Sequence, residues 1–220
     1  MLPLRDSQPS RRIPFITVIL IIFNVVVFIY QQRLDLPSYY DFLDRYAFTP
    51  AEFLEAIRAG KFYFPLITSM FLHGGIAHLL GNMWMLWIFG DNVEDYLRPV
   101  KYILFYLATG IIAILAHTLA DFNSDIPTLG ASGAIAGVMG AYLILYPHAR
   151  VMTLVPIVPY FVTIPAPIYL VIWFIIQLIS GFTRGASGIA WWAHVAGFLG
   201  GLIICVGGRN RRKRQEHASS

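Results

Sequence analysis

From Ile13 to Tyr30 almost every side chain is apolar, and five more stretches of this kind follow at 74–90, 100–120, 131–147, 164–181 and 188–207. An α-helix needs about 20 apolar residues to cross the hydrocarbon core of a bilayer. Six such runs predict an all-α membrane protein, a six-transmembrane-helix bundle formed as one domain of ordinary size. The charge content agrees with this. Only 13% of the 220 residues are charged and 57% are hydrophobic, whereas soluble domains carry about 25% charged residues. So few charges cannot cover a water-facing surface.

The connections carry their own signals. After the first run comes Gln31-Gln32-Arg33 rather than a small-residue cleavage site, so the run reads as an uncleaved first span. The connection 31–73 holds Asp35, Asp41, Asp44, Glu52 and Glu55 interleaved with aromatic residues. Its segments SYYDFLDRYAF and PAEFLEAIRAG are amphipathic, and the second predicts a short helix ending at Gly60. The whole reads as a structured first extracytoplasmic loop lying on the membrane surface. Before the fifth run, Pro156, Pro159, Pro165 and Pro167 delay the helix, which leaves 148–163 as an interfacial loop.

Orientation follows from lysine and arginine. With both termini inside, the inner segments hold Arg5, Arg11, Arg12, Arg98, Lys101, Arg150 and the cluster Arg209, Arg211, Arg212, Lys213 and Arg214. The outer segments hold only Arg33, Arg45, Arg58, Lys61 and Arg184. Residues 1–12 then form a cytoplasmic N-terminal tail and 208–220 a basic cytoplasmic C-terminal tail. A basic cluster directly after an apolar run reads as a topology anchor against membrane lipids, not as a nucleic-acid site. The single cysteine, Cys205, excludes an intramolecular disulfide and a cysteine metal cluster.

Polar residues inside spans are costly, so each is a candidate for function. Ser132 opens span four, His194 lies about two turns into span six, and His78 and Asn82 lie in span two. In the favoured topology all four sit toward the outer face. His78 and Asn82 are four residues apart and share a helix face. Taken singly, each of these residues reads first as a structural hydrogen-bonding or packing residue between helices. The glycines bear on that balance. Gly133 and Gly137 are four apart, as are Gly197 and Gly201. Small residues at this spacing let two helix backbones approach closely. If spans four and six meet through them, Ser132 comes within reach of His194, and a serine beside an imidazole is an activated nucleophile. His78, Asn82 and the backbone N–H of Ser132 could then hold an oxyanion. Gly130 and Gly133 would leave room for a substrate backbone. Rival chemistries lack their residues. There is no H-E-x-x-H for zinc, His73, His117 and His148 have no carboxylate at ligand spacing, and Asp91 has no second carboxylate deep in a span.

Three motifs now stand in order on three spans: His78-x-x-x-Asn82, Gly130-Ala131-Ser132-Gly133, and Ala193-His194-x-x-Gly197-x-x-x-Gly201. With FLHGG before His78 and FGDNVED after it, the sequence resembles the rhomboid intramembrane serine proteases of the small six-span bacterial type, over roughly residues 60 to 207. The resemblance implies a protease domain over 13–207 and hydrolysis of peptide bonds in or near transmembrane helices. It implies Ser132 as nucleophile, His194 as general base, and His78, Asn82 and the Ser132 N–H as oxyanion hole. Gly130, Gly133, Gly197 and Gly201 would serve packing and access. No metal and no cofactor are implied. The partners implied are transmembrane-helix protein substrates in a bacterial inner membrane, with the site opening outward. The gate for substrate would involve span five and the following loop, around Trp173 to Ser187. Two positions depart from the family pattern: Ala136 stands where some members have a tyrosine stacked on the histidine, and Tyr63-Phe64-Pro65 stands where many have Trp-Arg.

Two other classes are consistent with a polar cluster in a membrane. One is a non-cleaving rhomboid-like protein that binds client transmembrane helices; inactive relatives generally lack the serine or the histidine, and both are present here. The other is a small-solute transporter, which the sequence disfavours: repeats and broken helices near the midplane are expected of it, whereas these polar groups gather toward one face. The sequence names neither a substrate nor an oligomeric state.

Overall fold

A computed structural model describes residues 2–155, 160–183 and 189–218. Pro156, Pro159, Arg184, the loop 184–188 and the side chains of the basic cluster from Arg209 onward lie outside the described residues. In chain order the elements are β1 (Leu2–Asp6), α1 (Phe15–Gln31), α2 (Leu36–Tyr46), α3 (Pro50–Arg58), α4 (Pro65–Thr68) and a 3₁₀ turn (Ser69–Phe71). Then come α5 (Ile76–Leu97), α6 (Pro99–Ala120), α7 (Ser132–Leu145), β2 (Arg150–Val155), β3 (Tyr160–Pro165), α8 (Ala166–Phe182) and α9 (Trp191–Ala218).

Local chemistry sets several of the boundaries. Proline stands in the first turn of α2, α3, α4, α6 and α8, where its missing N–H costs nothing and its fixed φ suits a helix. Asp35 caps α2 by accepting from the Ser38 N–H at 3.2 Å. For α1, which has no capping side chain of its own, the cap comes from a distant residue. The Glu94 carboxylate on α5 accepts from the backbone N–H groups of Ile16 and Thr17 and from the Thr17 hydroxyl, each at 2.8 Å. Glu94 is buried, and the positive helix end is the natural place for a buried carboxylate.

α7 is the central helix. Every residue from Gly133 to Tyr142 is buried, although none is charged and several are too small to bury much area. Its glycines meet those of α9. A Cβ on Gly197 would run into the Gly133 carbonyl, one on Gly201 into the Gly137 carbonyl, and one on Gly140 into the Phe198 carbonyl. The two backbones are in direct contact, as small-residue spacing allows. The outer helices invert this pattern. Ile19, Ile22, Phe23 and Val26 on α1, and Val171, Ile172, Ile175, Ile176 and Ile179 on α8, are exposed. Such apolar faces are costly in water and suit hydrocarbon.

Length qualifies the expected six-span bundle. Among the described residues, two helical segments, Pro99–Ala120 and Trp191–Gly208, are long and apolar enough to cross a membrane. Phe15–Gln31, Ser132–Leu145 and Ala166–Phe182 are apolar but shorter, and α5 carries Asp91, Glu94 and Asp95 in its second half.

The all-α expectation is corrected by an antiparallel sheet of order β1-β2-β3. Leu2 to Asp6 pair with Leu154 to Val151, and Arg150 to Val155 pair with Pro165 to Tyr160. Residues 2–6 of the expected tail are thus a strand, and most of the expected 148–163 loop is a strand pair. Pro165 stands at the end of β3, where a missing donor is tolerated. The sheet is tied to α7 and α5 away from Ser132: near the C-terminal end of α7 the Tyr142 hydroxyl bonds Asp6, and the Trp84 indole N–H on α5 donates to the Pro3 carbonyl. The Tyr146 hydroxyl, just past α7, donates to the Asn92 carbonyl on α5. Burial raises the Asp6 carboxyl above its ordinary range, opposed by the Tyr142 hydrogen bond. At the other terminus, α9 continues as helix to Ala218 through residues expected to be a tail.

Candidate active site

Ser132 is the first residue of α7, and the loop before it is held from two sides. Phe48 and Thr128 exchange backbone hydrogen bonds of 3.1 and 2.7 Å, and the Gly130 N–H donates to the Ser69 carbonyl at 2.9 Å. The structured first loop is therefore attached directly to the turn that presents the serine. Tyr63, one of the departing positions, anchors that loop. Its hydroxyl donates to Glu52 at 2.7 Å and accepts from the Thr49 N–H, and its ring packs on Phe48 and Phe53. Burial, reinforced by Glu52, pushes the Tyr63 hydroxyl up to about 12.

Gly130 has φ +123°, a region that only glycine adopts without strain. A Cβ there would also stand 2.8 Å from the His78 ring. Both reasons, backbone and space, call for glycine at this point. The first N–H groups of α7 have no intrahelical acceptor, so they remain as donors beside Ser132 at the positive end of the helix.

The glycine contact between α7 and α9 brings the two candidates together. His194 Nε2 lies 2.8 Å from Ser132 Oγ. The other ring nitrogen, Nδ1, lies 2.8 Å from the side-chain oxygen of Gln177 on α8. Indole rings bracket the imidazole: Trp173 at 6.0 Å between centroids and tilted by 33°, and Trp191 edge-on at 6.1 Å. Ala136 is buried and offers no ring; Trp173, from a different helix, supplies the aromatic contact. Trp192 packs edge-on against Phe182 instead.

His78 and Asn82 flank Gly130 from α5. The Asn82 amide nitrogen lies 3.0 Å from His73 Nε2, and the His73 and His78 rings meet edge to face at 5.1 Å. His73 is fully buried. Its backbone is clamped by Gln31, whose oxygen accepts from the His73 N–H at 3.1 Å and whose amide donates to the His73 carbonyl at 3.3 Å. Burial first, and the neighbouring His78 second, hold the His73 imidazole down at about 4. A neutral His73 can accept from Asn82, and the amide's second hydrogen stays free. Among the described residues no three His, Cys, Asp or Glu side chains are grouped as a metal site requires. A cavity of about 20 Å³ lies beside Ser132, between Ser69, Gly110, Ala113, Gly130 and Ala193, room for about one water molecule.

Of the residues singled out by sequence, Ser132 meets His194, His78 and Asn82 stand around Gly130, and Gly133, Gly197 and Gly201 lie in the contact between α7 and α9. Three contacts of the site do not follow from the sequence alone. Gln177 is legible only as a lone amide in an apolar run. His73 reads in sequence as a histidine without a carboxylate at ligand spacing, which carries no hint of its bond to Asn82. Trp173 reads only as the edge of the expected gate, since a tryptophan in a span is ordinary.

Comparison with known proteins follows the same residues. Residues 60–211 match the family profile described as "Rhomboid domain". The chain is 37% identical over 141 residues to "Rhomboid protease GluP" of Bacillus subtilis (strain 168), covering 64% of this chain and 25% of that protein. It is 32% identical over 140 residues to "Rhomboid protein 1, mitochondrial" of Saccharomyces cerevisiae, covering 62% and 38%. Over 78 residues it is 41% identical to "RHOMBOID-like protein 6, mitochondrial" of Arabidopsis thaliana, covering 36% and 25%. The matches span between a quarter and two-fifths of the length of these curated relatives.

Proposed function

The chain belongs to the rhomboid family, and from that premise we propose that it is an intramembrane serine endopeptidase working through a Ser132–His194 dyad. The observation that carries this reading is the 2.8 Å hydrogen bond between Ser132 Oγ and His194 Nε2. Membership of the family makes the chain an integral membrane protein. We read it as six spans with both termini cytoplasmic, in a bacterial inner membrane, acting on transmembrane-helix proteins.

In the proposed reaction Ser132 Oγ attacks the carbonyl carbon of a substrate peptide bond, and His194 Nε2 takes the hydroxyl proton. The developing oxyanion accepts from the Ser132 N–H, the free hydrogen of the Asn82 amide and His78. Fixed donors of this kind stabilise the transition state without reorganising. His194 then gives its proton to the leaving amine. A water molecule enters, gives a proton to His194 and attacks the acyl-enzyme, and the acid leaves as Ser132 recovers its hydrogen. No carboxylate takes part. Gly130 supports the reading, because a side chain there would crowd His78 and approach the Asn82 amide, the two proposed side-chain donors.

The test is covalent labelling. A fluorophosphonate should modify Ser132 of the detergent-solubilised chain, located by peptide mass spectrometry, and His194→Asn should suppress the labelling. Absence of label on Ser132 in the folded parent would overturn the assignment of the nucleophile, and a helix-binding role without cleavage would then be favoured.

A further inference from the structure

An amide deep in an apolar helix is unfavourable unless its groups are bonded. Gln177 stands in α8 within WFIIQLIS, is buried, and has both ends of its amide engaged. The amide nitrogen donates to the Trp173 carbonyl of its own helix at 3.3 Å. This fixes which way the amide points. The reversed orientation would set the side-chain oxygen against the Trp173 carbonyl oxygen and the NH₂ against His194. As placed, the oxygen faces His194 Nδ1 at 2.8 Å. A carbonyl oxygen can only accept, so Nδ1 must carry the hydrogen, and a neutral imidazole protonated there has its lone pair on Nε2. Nε2 is the atom that faces Ser132.

We infer that Gln177 is a positioning residue, whose side-chain carbonyl holds His194 in the Nδ1–H tautomer with the Nε2 lone pair directed at Ser132. The inference rests on the Ser132–His194 reading above. It gives the family dyad of this chain a third member that is neutral. A carboxylate in this position would both orient the ring and stabilise the imidazolium; the amide orients it and lacks the full charge. Trp173, one turn earlier on α8, packs against the same ring, so one helix supplies both contacts. Among the described residues, the titratable groups acting on His194 from neighbouring helices are His78 on α5 and His117 on α6, both imidazoles. α7 presents Ser132, and α8 presents Gln177, which does not titrate.

The test has a spectroscopic arm and a kinetic arm. Nitrogen-15 histidine spectra of the full chain in detergent, with His194 assigned by comparison with His194→Asn, should show the Nδ1–H tautomer in the parent. In Gln177→Met, which keeps the length and loses the acceptor, a mixture with the Nε2–H tautomer should appear. This arm reads the hydrogen bond whether or not the chain cuts, so its failure is separable from failure of the protease reading. In the kinetic arm, Gln177→Met should lower kcat on a transmembrane substrate by about 10- to 100-fold, the cost typical of losing the hydrogen-bond partner that orients a metal-bound histidine. KM and thermal midpoint should stay near the parent values. Gln177→Glu restores an acceptor and should recover most of kcat, while its charge moves the acidic limb of the kcat/KM profile to higher pH. An unchanged tautomer in Gln177→Met overturns the inference. So does a Gln177→Glu profile that coincides with the parent's, which a merely structural glutamine would give.

Discussion

The carbonyl of Gly133 occupies the position that a Cβ on Gly197 would take, and the carbonyl carbon itself lies 3.0 Å from it. This contact between α7 and α9 sets the separation of Ser132 and His194. Gly197→Leu should therefore force the helices apart. Overpacking costs about 1–3 kcal/mol, and a ~1 Å misplacement of reacting groups costs about 10²-fold. The expected outcome is a lowered thermal midpoint together with a large loss of cleavage, and Gly197→Ala should show both to a lesser degree. Parent values for both in Gly197→Leu would mean that the packing face has been wrongly identified.

The donors around Gly130 predict partial defects. Losing one oxyanion donor typically costs about 10²–10³ in turnover. His78→Ala and Asn82→Ala should each slow cleavage while leaving measurable activity, because the Ser132 N–H remains. If both variants cut at the parent rate, the pair serves only to bond neighbouring helices.

His73 predicts a pH dependence of stability. Its imidazole titrates at about 4 in the folded protein against about 6.5 when unperturbed. The unfolded state therefore binds the proton first, so the contribution of the neutral imidazole is fully present above pH 6.5 and is lost as pH falls toward 4. Its size is on the order of 3 kcal/mol. Protonation also turns His73 Nε2 into a donor, which cannot accept from Asn82. The thermal midpoint of the parent should fall between pH 6.5 and 4 more steeply than that of His73→Gln, which keeps an acceptor and does not titrate. Parallel curves for the two proteins would contradict this.

Glu94 predicts a stability effect remote from the chemistry. Glu94→Ala removes the acceptor of two backbone N–H groups and a hydroxyl at the start of α1. Leaving a buried donor unpaired costs about 1–3 kcal/mol. The variant should melt lower, yet cleave at the parent rate per folded molecule at a permissive temperature. A loss of cleavage without a loss of stability would indicate that α1 takes part in the reaction.

Much of the site was legible because membranes make polar residues expensive. Ser132, His78, Asn82 and His194 stood out against apolar runs, and the four-residue glycine spacing indicated which helices touch. Gln177 belongs to the same class, yet its partner is 17 residues away on another helix, and only the fold joins them. The sheet escaped for a different reason. β1 and β2 are far apart in sequence and too short to show a clear period of two, and the prolines around β3 read as a loop. Proline is compatible with the end of an edge strand, where no donor is required. The cap on α1 was equally hidden, since Glu94 and Thr17 are joined by tertiary structure alone.

The central claim is that Ser132 is the nucleophile of a peptide hydrolase, and comparative cleavage tests it most directly. The purified full chain and its Ser132→Ala variant are incubated in detergent or proteoliposomes with a transmembrane-helix substrate, and the products are identified by mass spectrometry. The parent should cut within or beside the substrate helix. Ser132→Ala should give no product while keeping the parent's thermal midpoint, because only a hydroxyl is removed. Cleavage by Ser132→Ala at the parent rate would contradict the account.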